Sequence, residues 1–158
     1  MKAVAYSIKP FEKEFLAKAN QKKHDITLIS NSLDINTAIY AEGKDAIIVF
    51  TNDDVSAQVI ETLAGFGIKY IVTRSAGTDH IDKPAAAAHG IKLSNVPSYS
   101  GQYPDVLITS HPAYLTKDKL QEIADQTIKN LDMWQANKCV GKACVCAKEC
   151  RVNIVDKK

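Results

Sequence analysis

Residues 46–75, AIIVFTNDDVSAQVIETLAGFGIKYIVTRS, decide the fold. An apolar, β-branched run at 46–50 passes through a polar turn into a helical pattern at 56–64. That pattern begins at Ser56, a residue type suited to an N-cap, and stops at Gly65-Phe66-Gly67 before a second β-branched run at 70–75. Strand, helix, strand in that order is the sequence appearance of a crossover between parallel strands.

Working outward, the same alternation repeats. Further strands are expected at 2–7, 25–30 and 91–95. A helix at 10–23 carries Phe11, Phe15, Leu16 and Ala19 on one stripe, with Pro10 suited to a first helical turn. A shorter helix at 36–42 is capped by Asn36 and ended near Gly43, and the alanine-rich 83–89 stops at Gly90. Five strands with helices between them predict an α/β chain: a flavodoxin-like, doubly wound, five-stranded parallel sheet in three α/β/α layers with right-handed crossovers.

The last third breaks the pattern. A turn-rich passage, Ser98-Tyr99-Ser100-Gly101-Gln102-Tyr103-Pro104, leads to a strand-like 106–109 and a loop with Ser110-His111-Pro112. Residues 117 to about 137 then read as one long helix, with Thr116 as N-cap and Leu120, Ile123, Ala124, Thr127, Ile128, Leu131 and Trp134 spaced three and four apart. Such a stripe has to dock on the sheet.

At 158 residues with 46% apolar side chains, the chain is long enough for one self-sufficient core. Its net charge of +2 is unevenly spread. The basic residues that give the excess lie in 138–158, so the globular part carries no nucleic-acid footprint. Neither a run of apolar residues long enough for a membrane span nor a signal-peptide pattern is present, and a cytoplasmic protein is expected.

Three segments, in order, carry a family likeness. Tyr70-Ile71-Val72-Thr73-Arg74-Ser75-Ala76-Gly77-Thr78-Asp79-His80-Ile81-Asp82 resembles the strand and turn before the substrate carboxylate site of the D-2-hydroxyacid dehydrogenases, in particular those of the D-lactate dehydrogenase type. Asn95-Val96-Pro97-Ser98-Tyr99-Ser100 resembles the segment by which the chain leaves the substrate domain, and 106–116 resembles the returning segment with the catalytic histidine. The likeness covers roughly residues 1–137.

The resemblance implies roles for particular residues. His111 matches the acid/base that protonates the carbonyl oxygen, although a lone loop histidine is more usually a hydrogen-bonded structural residue. The backbone amides of Ala76 and Gly77, following Ser75, match the receptors of the substrate carboxylate, where small residues allow close approach. Read without the family, the same turn is an ordinary strand ending. Tyr99 and Tyr114 match pocket positions, or serve as aromatic cover over the end of the sheet.

In the resembled family about two hundred residues between the second and third segments form an NAD-binding domain, and none of them is present here. Gly65-Phe66-Gly67 follows a helix and lacks a third glycine at the dinucleotide offset. Across the junction near 100–104, Gly101-Gln102-Tyr103 spans roughly 10 Å at most, so the two ends of the lost domain must be neighbours. Designed excision and natural domain loss both give such a sequence; a cut so close to the domain border favours excision. The expectation is a substrate-binding domain that is inactive alone and needs no cofactor in isolation, although its parent uses NAD. It binds small 2-oxo or 2-hydroxy acids weakly, and is a monomer or loose dimer through the bared cleft surface.

The tail at 138–158 contains Cys139, Cys144, Cys146 and Cys150 among basic neighbours. Four thiolates suit tetrahedral zinc or an iron–sulfur cluster, but the spacing matches neither zinc ribbons nor plant-type ferredoxins. Free thiols on an extension are the plainer reading. Two rival functions stay open: a small metal- or redox-active module built on these cysteines, and a non-catalytic domain that binds a ligand or complements a separate NAD-binding chain. Receiver-domain and flavodoxin functions are excluded, because Ser7-Ile8-Lys9-Pro10-Phe11-Glu12 offers neither the acidic pair nor the hydroxyl-rich loop.

Overall fold

The computed structural model describes residues 1–51, 53–75, 78–96 and 117–136. Among these, β1 (Lys2–Ala5), β2 (Asp25–Leu28), β3 (Ala46–Val49), β4 (Tyr70–Thr73) and β5 (Lys92–Ser94) form one sheet of order β2-β1-β3-β4-β5, with every neighbouring pair parallel. The chain steps to one side of β1 for β2 and to the other for β3. Right-handed crossovers then place the helix after β1 on one face and the helices after β3 and β4 together on the other.

Two cores result. On one face α2 (Ala57–Gly65), α3 (Lys83–Ala88) and a 3-10 turn (Ala38–Ala41) cover Val4, Tyr6, Ile47, Val49, Ile71 and Leu93. On the other, α1 (Pro10–Asn20) and α4 (Lys117–Gln135) lie side by side over Ala3, Ala5, Ala46, Ile48 and Val72. β3 is buried along its whole length and feeds both cores by alternation, as the central strand of a doubly covered sheet must.

The long helix docks as its stripe requires. Ile123, Ala124, Thr127, Ile128, Leu131 and Trp134 are all buried, and the Trp134 ring stacks on Tyr70 with centroids 4.8 Å apart. Each buried aliphatic side chain of this size contributes roughly 1.5–3 kcal/mol. Polar contacts set the register. Asn130 Nδ2 donates to Ser94 Oγ and to the Asn95 carbonyl, both at 3.0 Å, and Asp132 meets His24 Nε2 at 2.7 Å. No described helix is long and apolar enough to cross a membrane.

Several boundaries differ from the sequence reading, each for a local reason. The strands end one or two residues early because the chain turns out of the ladder at their carboxyl ends. Ser7 takes φ 56°, and Asp53 N closes a turn on the Phe50 carbonyl. α1 stops at Asn20 rather than 23. Gln21 and Lys22 adopt left-handed backbone angles, and the Asn20 amide pairs with both main-chain groups of His24. The expected helix at 36–42 is only the 3-10 turn, preceded by Thr37 rather than Asn36, because Asp34 Oδ1 accepts from the amides of both Asn36 and Thr37. Ser56 does precede α2, but its hydroxyl makes no capping bond; for α3, Asp82 accepts from Ala85 N. The expected strand at 106–109 and the Thr116 cap lie outside the described residues.

Candidate active-site face at the carboxyl ends of the strands

In an open parallel sheet, ligands bind beyond the carboxyl ends of the strands, most often where the strand order reverses. Here that reversal falls between β1 and β3. The place is filled by protein. Asp53 Oδ1 accepts from the Ser7 hydroxyl and from Leu33 N at 2.8 Å, and its Oδ2 accepts from Phe50 N at 2.7 Å, so one buried carboxylate ties together the ends of β1, β2 and β3.

Beside it lies Arg74, which is 1% exposed. Its Nε donates to Glu12 Oε2 at 2.8 Å, while Nη1 and Nη2 donate to the carbonyls of Tyr6 and Ser7. The guanidinium also lies over the Phe50 ring, 5.4 Å from its centroid. This arginine is committed to the end of β1 and to α1, so it is a structural group and offers no fork to a substrate. Tyr6, buried under the same region, donates to the Thr37 carbonyl; burial, and then the nearby Asp53, push its phenol well above the usual range.

Further along the same edge, β4 runs out into the turn that bears the motif. Ser75 is buried, and its carbonyl accepts from Val96 N at 3.1 Å. Two of the three resembled segments therefore meet through their main chains. The helix that follows the third, α4, reaches the same place through Asn130 and Asn95. Thr73 Oγ1 lies 2.8 Å from Ser75 Oγ and 3.2 Å from His80 Nε2, so the two ends of the turn are linked across its neck. Behind it, Ile81 bridges to Val55, and Asp82 N donates to the Val55 carbonyl. Burial pulls the His80 imidazole below its ordinary range, opposed by the charges of Asp53 and Asp79.

Of the residues singled out in the sequence, Ser75 is thus placed on this face. Ala76, Gly77, Tyr99, His111 and Tyr114, and the cysteines 139, 144, 146 and 150, lie outside the described residues. Among the described residues no group of three metal-binding side chains converges. Sequence reasoning passed over Asp53, Arg74, Thr73 and His80. Thr73, Arg74 and His80 lie within the quoted segment 70–82, and Asp53 stands just past the end of an apolar strand, which is the signal each offered.

An open depression of about 820 Å³ lies at the opposite edge, against the amino ends of β1, β2 and β3, lined by Lys2, Lys22, Lys23, His24, Asp25 and Asp45. Its size does not make it the site. The strand direction and the motif-bearing turn both point to the other edge.

The sheet order β2-β1-β3-β4-β5, parallel throughout and covered by helices on both faces, defines a doubly wound α/β domain. The chain belongs to the D-isomer specific 2-hydroxyacid dehydrogenases, matching their catalytic domain over residues 3–144. It is 39% identical over 101 residues to an aromatic 2-oxoacid reductase of Clostridium sporogenes, a match covering 63% of this chain and 30% of that protein. The apo structure of Escherichia coli D-lactate dehydrogenase aligns with a TM-score of 0.60 at 37% identity, over 61% of this chain and 31% of that one. The structure of a D-2-hydroxyisocaproate dehydrogenase aligns with a TM-score of 0.59 at 30% identity, over 87% of this chain and 39% of that one. The chain thus spans about 30% of the length of the curated relatives it matches.

Proposed function

We propose that these 158 residues are the substrate-holding half of a D-lactate dehydrogenase-like enzyme, joined across the junction near 100–104, and that they do not reduce a 2-oxo acid unaided. One observation carries the reading. α4 returns to the end of β5 through Asn130, at the point where the resembled family sends its chain into the nucleotide domain. The likeness to D-2-hydroxyisocaproate dehydrogenase supports it, since 87% of this chain matches 39% of that one.

The described residues do not fit a dinucleotide. The turns after β1, β2, β3 and β4 contain no Gly-x-Gly-x-x-Gly, and Arg74 and Asp53 occupy the point of strand reversal. What the chain contributes in this reading is recognition of the acid. The Ser75-Ala76-Gly77 turn receives the carboxylate, Tyr99 and Tyr114 border the pocket, and His111 stands as the proton donor to the carbonyl oxygen. Two backbone donors competing with water contribute about 0.5–1.5 kcal/mol each, so affinity for pyruvate is millimolar or weaker. The purified chain mixed with pyruvate and NADH is expected to show no loss of NADH absorbance above the protein-free rate. Sustained turnover that survives repurification would sink the reading.

A further inference from the structure

β2 ends the sheet on one side, and among the described residues its outer edge is open. Asp25 N donates to the Met1 carbonyl and Ile29 N to the Ala5 carbonyl. In a parallel ladder alternate residues turn both main-chain groups to the neighbouring strand, so Ile26 and Leu28 turn theirs away from β1. No described group pairs with them. Their side chains lie half-buried on the α1 face, while Asp25 and Thr27 stand exposed on the other. Residues 25–28 include neither proline nor lysine, the residue types that commonly keep an edge from pairing.

We propose that β2 is a dimerisation edge, on which the β2 strand of a second copy of this chain pairs antiparallel about a two-fold axis at Thr27. In that register Ile26 stands opposite the partner's Leu28 and the two exchange both main-chain bonds, so every outward donor and acceptor of the strand is satisfied. Thr27 meets its own copy as a non-hydrogen-bonded pair, a favourable cross-strand contact for threonine. The charges fit this direction. Lys22 and Lys23 precede the strand, Asp25 opens it and is its one charged residue, and Asp34 follows it. Antiparallel pairing brings the lysines of each copy toward the Asp34 end of the other and keeps the two Asp25 carboxylates apart, whereas parallel pairing sets like beside like. Ile35, Ile39 and Tyr40, the exposed large apolar side chains among the described residues, all lie on the crossover that leaves β2, whose first residues adjoin the start of the partner strand. The strand is thus its own complement in hydrogen bonds and in charge, which makes a second copy the occupant. This edge is separated from β5 and its contact with α4 by the whole width of the sheet, and the proposal is independent of the substrate reading.

The test is sedimentation equilibrium of the full chain under reducing conditions from roughly 10 µM to 1 mM, the range suited to a small interface. The mean mass is expected to rise toward that of a dimer, and hydrogen exchange at the Ile26 and Leu28 amides to slow in step with it. Thr27→Lys sets two ammonium groups face to face at the axis, from a side chain exposed in the single copy, and should weaken association about tenfold or more with the circular dichroism spectrum unchanged. Thr27→Cys places the two Cα atoms about 4.5 Å apart, within reach of a disulfide, so mild oxidation should yield a peptide joined to its own copy at position 27. A monomer at every concentration overturns the proposal, and slow exchange at the two amides in that monomer would show that another part of the same chain covers the edge. A dimer that Thr27→Lys leaves intact, or that forms no bridge between the two copies of position 27, places the contact on another surface and overturns it as well.

Discussion

Glu12 and Arg74 show how one contact fixes two elements. The guanidinium is 1% exposed, so its charge is tolerable only with a partner, and Glu12 from α1 supplies it through Nε and Nη2 while the carbonyls of Tyr6 and Ser7, just past β1, accept from Nη1 and Nη2. Breaking a buried pair from one side strands the other charge, at a cost of 3–5 kcal/mol in general. Glu12 retains 16% side-chain exposure, so the lower end applies. Glu12→Gln is expected to lower the unfolding free energy in urea by about 3 kcal/mol. Adding Arg74→Met to it should cost far less than the two single losses combined, because no stranded charge remains. Strict additivity in that cycle would mean that the pair is not coupled.

At the scale of elements, α4 is where the resemblance can be tested most directly, because its residues follow the proposed junction. Trp134, the only tryptophan, is buried against Tyr70, so its fluorescence reports docking of this helix on the sheet. If α4 belongs to the same cooperative unit as β1 to β5, the urea transition followed by that fluorescence coincides with the one followed by far-ultraviolet circular dichroism. Trp134→Ala is expected to destabilise the domain by about 3–5 kcal/mol. A circular dichroism midpoint unmoved by that substitution would place α4 outside the folding unit. The existence of α4 was legible from its stripe, as were all five strands, because β-branched runs and three-four spacing are local signals. Their ends were not. The ends of β1 and β3 depend on Asp53 reaching Ser7 and Leu33, and that of α1 on Asn20 pairing with His24, contacts that leave no periodicity in the sequence. The site shows the same division. Ser75 was found by motif, but its link to His80 exists only once the turn has folded back on Thr73.

For the molecule as a whole, the proposed division of labour predicts how stability responds to ligands. A compound that binds the folded state with dissociation constant Kd adds RT ln(1 + [L]/Kd) to the unfolding free energy, which is about 2.7 kcal/mol at a hundredfold excess over Kd. For a domain of this length, at about 2–4 °C per kcal/mol, that is a rise in melting temperature of roughly 5–11 °C. The described sheet has its strand reversal filled by Asp53 and Arg74, and none of its strand–helix turns is built for a pyrophosphate. Millimolar NADH is therefore expected to leave the calorimetric melting temperature of the chain unchanged, while an intact D-lactate dehydrogenase run alongside is stabilised. A rise of several degrees with NADH for this chain would mean that these residues hold a nucleotide after all, and the assignment of the substrate half alone would fall.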